Sequence, residues 1–262
     1  MKNVVITGST RGIGFSMAKE FLKAGCNVTL SGRAEALPEA LSAELVPFSR
    51  KYIYVSCNVQ DKASLQRLWN TSLERWGGIE IWINNAGQNV PFKYAWETGE
   101  KYTENVIRTN ILGMIYGSQI AAAEMLKQGY GAIYSMEGLG SNNMIQLKTI
   151  LYGTTKCALT YFMKGLAKEL KGTGIIAGRL SPGMVLTDFM KKTPDGEVSE
   201  VISDERFRRI FNILGDKPET VAEFFVPRIL KNTRNGAQIA WLTGRKAAWR
   251  FMTAGFRRDR LI

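Results

Sequence analysis

Apolar residues follow two alternating rhythms along the 262-residue chain. Short runs rich in valine and isoleucine, at 4–7, 28–31, 53–57, 79–84, 132–135, 175–180 and 239–242, predict β-strands. Between them, apolar positions recur at three- and four-residue spacing, as an amphipathic helix requires. Ile13, Met17, Ala18, Phe21 and Leu22 form one such stripe, and Gly25 stands where that helix would stop. Strands joined by helical crossovers pair in parallel, so the pattern predicts an α/β fold with a doubly wound sheet, a single domain over 1–262. No internal repeat, low-complexity tract or linker interrupts it. The stretch 187–215 is polar and charged, punctuated by Pro194 and Gly196, and reads as a loop with short helices. Its Phe189, Met190, Phe207, Ile210 and Phe211 would form the inner face of a substrate lid or else pack on the core.

Composition narrows the chemistry. Apolar residues make up 45% and charged ones 22%, so the chain is long and apolar enough to bury one sizeable core. No uninterrupted apolar run reaches the roughly 18 residues of a membrane-spanning helix, and the first strand begins almost at Met1, so neither a membrane anchor nor a signal peptide is expected. Cys26, Cys57 and Cys157 show no paired spacing, which suggests a reducing, cytoplasmic setting. Histidine is absent, which excludes serine–histidine hydrolysis and most zinc sites, and no metal is expected. Proton transfer must use another side chain. The net charge of +12 would attract nucleic acid or an anionic membrane surface, or it marks only a soluble basic surface; no specific nucleic-acid partner is expected.

After the first strand the chain reads Thr7-Gly8-Ser9-Thr10-Arg11-Gly12-Ile13-Gly14, where missing side chains would let backbone amides and a helix N-terminus approach a pyrophosphate. Asn84-Asn85-Ala86-Gly87 follows the fourth strand, and Tyr152 and Lys156 lie four apart, on one face of a helix. Pro182-Gly183, then Val185 and Thr187, complete the series. A phenol titrating near 10 is a poor proton shuttle at neutral pH, and a neighbouring ammonium would favour its ionised form. At the end of the second strand, Leu30-Ser31-Gly32-Arg33 lacks the carboxylate that would hold a free ribose hydroxyl. Arg33 and Arg11 would instead clamp a 2′-phosphate, so NADPH/NADP is the expected cofactor.

In that order these segments resemble the short-chain dehydrogenase/reductase family, whose glycine turn reads T-G-x-x-x-G-x-G and whose other marks are N-N-A-G and Y-x-x-x-K. The resemblance implies a Rossmann-type fold and carbonyl reduction by hydride transfer, with Tyr152 as proton donor, Lys156 on the nicotinamide ribose and Asn110 holding a proton-relay water. It places Gly8 to Gly14, Arg33, Asn58, Val59, Asn85, Ala86, Gly87, Tyr152, Lys156, Pro182, Gly183, Val185 and Thr187 around the cofactor. Asn58 stands where the family more often has aspartate. The usual spacing puts the catalytic serine at position 139, where Leu139 stands here; Ser135, ending its strand before Gly138, is the expected replacement, with Ser141 the alternative. Homodimers or homotetramers are common in the family.

Residues 131–141, 152–157, 181–188 and 218–222 are similar to the chlorophyll(ide) b reductase branch in particular. That branch implies reduction of a ring formyl group to hydroxymethyl on a large, flat, apolar tetrapyrrole. Two further readings stay open: reduction of another bulky apolar ketone or aldehyde, and a non-catalytic NADP-sensing protein. The segment 245–262 is basic and amphipathic, with Lys246, Arg250, Arg257 and Arg258 on one side of a helical wheel and Trp249, Phe251, Met252 and Phe256 on the other. It predicts peripheral contact with a membrane surface, or packing against the pocket or a second subunit.

Overall fold

The computed structural model describes residues 1–199, 202, 204–256 and 261–262. The chain begins with β1 (Asn3–Ile6), α1 (Gly12–Lys23), β2 (Asn27–Gly32), α2 (Glu39–Leu45), β3 (Tyr52–Ser56), α3 (Lys62–Trp76) and β4 (Ile81–Asn84). It continues through α4 (Glu100–Ile107), α5 (Gly113–Gln128), β5 (Gly131–Met136), α6 (Ile150–Glu169) and β6 (Ile175–Ser181). The remainder comprises α7 (Asp188–Lys191), α8 (Glu205–Leu214), α9 (Pro218–Lys231), β7 (Gln238–Ala240) and α10 (Gly244–Met252).

The seven strands pair in parallel with helices on both faces, as the pattern predicts, and their order is β3-β2-β1-β4-β5-β6-β7. Alternation along β1 explains the two layers. Val4 and Ile6 point to a core shared with Phe21 of α1 and Phe225 of α9, whereas Val5 points to Trp69 of α3, Trp82 of β4 and Met163 of α6. Each of these side chains contributes about 1.5–3 kcal/mol on burial, and together they clamp the sheet from both sides. Helix ends follow local chemistry. Asp61 caps α3 by accepting from the Ala63 and Ser64 N–H groups, and Gly77 ends it with φ of 75°, a conformation that costs glycine little.

Every strand differs from expectation by one or two residues at its ends, most at the start of β4 and the end of β7. Ile79 precedes β4 because Gln128 satisfies both of its backbone groups: the Ile79 N–H donates to Oε1 at 3.1 Å, and Nε2 donates to its carbonyl at 3.0 Å. In β7 the ladder ends at Ala240. Trp241 still donates its N–H to Ser181 at 2.9 Å, but its indole turns to Asp216. Strand order reverses direction at β1, whose two neighbours are β2 and β4, so a crevice opens beyond their carboxyl ends.

Candidate active site at the carboxyl edge of the sheet

The glycine turn fills that crevice. Gly8 and Gly12 adopt φ of 62° and 54°. A Cβ on Gly8 would come 2.8 Å from Ala86 Cα, and one on Gly12 would come 3.1 Å from Thr187 Cγ2. On Gly14 it would overlap the Asn85 amide nitrogen. Thr7 Oγ1 accepts from the N–H groups of Asn85 (3.0 Å) and Ala86 (3.1 Å), while Asn85 Nδ2 donates to the carbonyls of Thr7 and Gly8. Ser9 is fully buried and ties the turn inward, donating to Ile6 O at 2.8 Å and accepting from the Ser31 N–H. Thr10 lies against Gly32, where a Cβ would come 2.7 Å from its Cγ2. Ile13 packs on the core just inside the start of α1.

This cradle fits a dinucleotide. The turn leads into α1 with no side-chain cap from Arg11, leaving its first N–H groups available to a phosphate. Arg11 and Arg33 are exposed, and among the described residues neither pairs with a carboxylate. Asn58 is exposed beyond β3 with Oδ1 on the Gln60 N–H, and buried Val59 abuts Gly113. Gly183, at φ of 72°, turns under Leu242 beside buried Pro182, and Val185 bridges to Asp216. Gly87 comes near both Asn110 and Lys156: a Cβ there would be 3.6 Å from Asn110 Oδ1 and 3.9 Å from Lys156 Nζ.

Tyr152 and Lys156 project from the first turns of α6, and Lys156 Nζ lies 5.8 Å from the centre of the phenol ring. The ammonium donates to the Met136 carbonyl at 2.9 Å, at the end of β5. Asn110 is buried on a widened helical turn, Arg108–Leu112, between α4 and α5. Its Oδ1 accepts from the Gln88 N–H at 2.7 Å, and its Nδ2 donates to Gln88 O and to Thr155 Oγ1. It thus ties the segment after β4 to α6, one residue before Lys156. Burial raises the Tyr152 phenol above its ordinary 10.0, and it lowers the Lys156 ammonium from 10.5 to about 8, against the opposing charge of Glu137. Within the protein alone, then, desolvation outweighs the expected lowering of Tyr152 by Lys156.

Ser135 requires a correction. It does not meet Tyr152: its Oγ is fully buried, donating toward Met163 Sδ at 3.3 Å and accepting from Asn84 Nδ2 at 3.3 Å, within a polar layer that also includes Ser118. Alternation along β5 turns it toward α6 and away from the mouth. The residue at the phenol oxygen is Gly138, where a Cβ would overlap Tyr152 Oη. Ser141 lies next to this glycine, accepting from the Gly138 N–H at 3.1 Å and lying 3.3 Å from Lys156 O. Sequence reasoning missed Gly138 because a glycine offers no chemistry to notice.

Three segments ring this mouth. Phe189, the expected lid residue, sets its ring edge-on to Tyr152, 5.5 Å between centres. Asn89 Nδ2 donates to Phe189 O and, at 3.1 Å, to Lys192 O, joining the lid to the segment after β4. That segment carries Phe92, Tyr94 and Trp96, also missed, although aromatics at alternate positions were the available signal. The rings of Tyr94 and Trp96 stack 4.9 Å apart, and Lys148 Nζ sits 5.3 Å from both Phe92 and Tyr94. Trp96, Ile145 and Leu147 are 81%, 80% and 65% exposed. Deeper in 187–215, Phe211 is fully buried beside Phe207 and α8 packs against α10, while Phe189 of α7 lines the mouth.

The C-terminal segment departs from its helical wheel. Arg250 turns inward, with Nη1 2.6 Å from Asp216 Oδ2 and Nη2 3.0 Å from Oδ1, and locks α10 to the chain before α9. Trp249, Phe251 and Met252 are exposed, and so is Arg245 at the start of the helix. Arg257 and Arg258 lie outside the described residues. Among the described residues no helix is long and apolar enough to cross a membrane, and no three metal-ligating side chains gather.

A parallel sheet with a glycine turn at its reversal point and a Tyr–Lys pair at its carboxyl edge defines a nicotinamide-dependent oxidoreductase. The short chain dehydrogenase family matches residues 2–198, and the chain belongs to that family. It is 32% identical to the probable chlorophyll(ide) b reductase NYC1 of Oryza sativa subsp. japonica, over 99% of this chain and 53% of that protein. It is also 32% identical to the chlorophyll(ide) b reductase NOL of Arabidopsis thaliana, over 99% of this chain and 76% of that one. The chain thus spans about half the length of its NYC1 relatives. A 3alpha-hydroxysteroid dehydrogenase of Mediterraneibacter gnavus is 29% identical, over 86% of this chain and 88% of its own. Among solved structures, ElxO with NADP bound superposes with a TM-score of 0.77 at 27% identity, covering 91% of this chain and 96% of ElxO.

Proposed function

We propose that the chain is an NADPH-dependent reductase of bulky apolar carbonyl compounds, converting the formyl group of chlorophyll(ide) b or a similar tetrapyrrole to hydroxymethyl. The observation that carries this reading is the placement of the Tyr152 hydroxyl over Gly138, at an opening flanked by the stacked Tyr94–Trp96 pair and by exposed Ile145 and Leu147. A flat, apolar ring would cover that surface. The chlorophyll(ide) b reductase relatives supply the formyl substrate class, and the NADP-bound ElxO structure supports the phosphorylated cofactor, for which Arg11 and Arg33 are the available cations.

The glycine turn and Lys156 would hold a nicotinamide dinucleotide, which would supply hydride chemistry at the carbonyl carbon. Tyr152 Oη gives its proton to the developing alkoxide, and Lys156 stabilises the phenolate left behind. Asn110 keeps α6 in register with the segment after β4. With no hydroxyl at position 138, the phenol is the main donor to the substrate oxygen. The steroid dehydrogenase relative favours a second reading, reduction of a bulky cyclic ketone by the same residues.

The test is NADPH oxidation by the purified chain with chlorophyllide b, followed by pigment chromatography, beside a 3-ketosteroid. A hydroxymethyl pigment product supports the first reading, and steroid turnover alone supports the second. NADPH binding without turnover of either favours a cofactor-sensing protein.

A further inference from the structure

Behind the Tyr152–Lys156 pair lies a charge that proton delivery does not use. Glu137 follows the last residue of β5 and is 2% exposed. Three elements converge on its carboxylate. Arg179 Nη1 of β6 donates to Oε1 at 2.9 Å, Gln238 Nε2 of β7 donates to Oε2 at 2.6 Å, and Thr160 Oγ1 of α6 lies 3.3 Å from Oε1. The same Thr160 hydroxyl lies 3.0 Å from the Lys156 carbonyl, and Lys156 Nζ donates to Met136 O, the carbonyl of the peptide that leads into Glu137.

A buried ion pair is a poor source of stability, because desolvating two charges offsets most of their attraction. Arg179 and Glu137 are nevertheless held there, with side chains 13% and 1% exposed. Among the described residues, the charged or titratable groups set around Lys156 are Tyr152 on its own helix, Glu137 after the end of β5 and, beyond Glu137, Arg179 on β6. The pocket therefore holds one anion between two cations.

We propose that Glu137 is a positioning residue of the reaction: anchored by Arg179 and Gln238, it fixes Lys156 beside Tyr152 and holds its ammonium in the charged form. The proposal rests on the reading of Lys156 as the partner of Tyr152. Burial alone drives Lys156 toward neutrality, and Glu137 is the anion that resists it. Arg179 orients the carboxylate and partly cancels its charge.

The experiment uses the full chain with 13C-labelled lysine, with the Lys156 resonance assigned by its loss in Lys156→Arg and its titration followed by NMR. In parallel, the pH profile of kcat/KM is measured with NADPH and a flat aromatic diketone, 9,10-phenanthrenequinone. Glu137→Gln is expected to lower the Lys156 midpoint by about one unit or more, the low end of what a close opposite charge supplies, and to move the alkaline limb of kcat/KM acidward with it. Glu137→Asp should recover part of the shift. Arg179→Gln should raise the midpoint, because it removes a cation and leaves Glu137 to Lys156. If Glu137→Gln does not fold, as judged by circular dichroism, the Arg179→Gln and Glu137→Asp shifts decide. Unchanged midpoints in the folded variants overturn the proposal. If the wild-type chain turns nothing over while the midpoints still move, the reductase reading fails and the coupling of Glu137 to Lys156 stands.

Discussion

The phenol oxygen of Tyr152 rests where a side chain at position 138 would begin, and this one contact organises the chemistry at the scale of single residues. Tyr152→Phe deletes the proton donor but touches neither the glycine turn nor the arginines. Turnover should fall about 10²–10⁴-fold, the usual size of a general-acid contribution, while NADPH fluorescence titration reads nearly unchanged affinity. Ser135→Ala should leave turnover nearly intact and cost about 1 kcal/mol in a denaturant melt, the loss of one buried hydrogen bond, because its hydroxyl faces Asn84 and Met163. Gly138→Ser places a Cβ on Tyr152 Oη and is expected to lower kcat at least tenfold, about 1.4 kcal/mol of barrier; a rise in kcat would instead show that the site had lacked a serine. Lys156 adds a pH dependence of known sign. Its ammonium is held at about 8 against 10.5 when unfolded, so kcat/KM should fall as pH rises through about 8 and the charge is lost. Over that same window the unfolded chain binds more protons, so the folding penalty present below about 8 is relieved toward 10.5. Activity and this group's share of stability therefore move in opposite directions, which parallel rate and melting profiles can read.

At the scale of elements, strand ends place the groups that select the cofactor. Arg33 follows β2 directly, and Arg33→Ala should weaken NADPH far more than NADH, by about 1.5–3 kcal/mol if a charged hydrogen bond is lost; equal losses in paired titrations would refute a phosphate role. The parallel pairing and the alternation of strands and helices were legible in the sequence, since both follow from local periodicity, whereas the glycine turn and the Tyr152–Lys156 pair stood out through the order in which the family's motifs recur. What was not legible depends on how strands and helices meet. Ser135 and Gly138 are three residues apart, yet the course of β5 buries the first and leaves the second beneath a phenol contributed by α6. Arg250 likewise reads as a solvent-facing cation on a wheel, and only the position of Asp216 before α9 draws it inward. Where backbone already has partners, as Ile79 does with Gln128, periodicity also overstates a strand.

For the molecule as a whole, the inward turn of Arg250 leaves α10 presenting Trp249, Phe251 and Met252 to the outside of a chain with a net charge of +12. Apolar side chains on a basic body suit an anionic bilayer surface. The full chain is expected to co-sediment with anionic liposomes at low salt and to be released at high salt. A Trp249→Ser, Phe251→Ser, Met252→Ser variant, which spares Arg250, should stay in the supernatant; retention of that variant on the liposomes would assign binding to charge elsewhere. The crevice at β1 has a consequence in time. Val4 lies beside Ile81, and Asn85 closes over Gly8 across a stretch of chain that includes both intervening strands. Closing so long a loop adds little entropy cost beyond a shorter one, but it slows the search for native pairing. At synthesis rates of about 5–20 residues per second, Gly8 joins the chain ~4–15 s before Asn85 exists to meet it. The pyrophosphate cradle is thus assembled late, from parts made at different moments, and acquisition of nucleotide affinity by a nascent chain would mark the instant at which its two halves have joined.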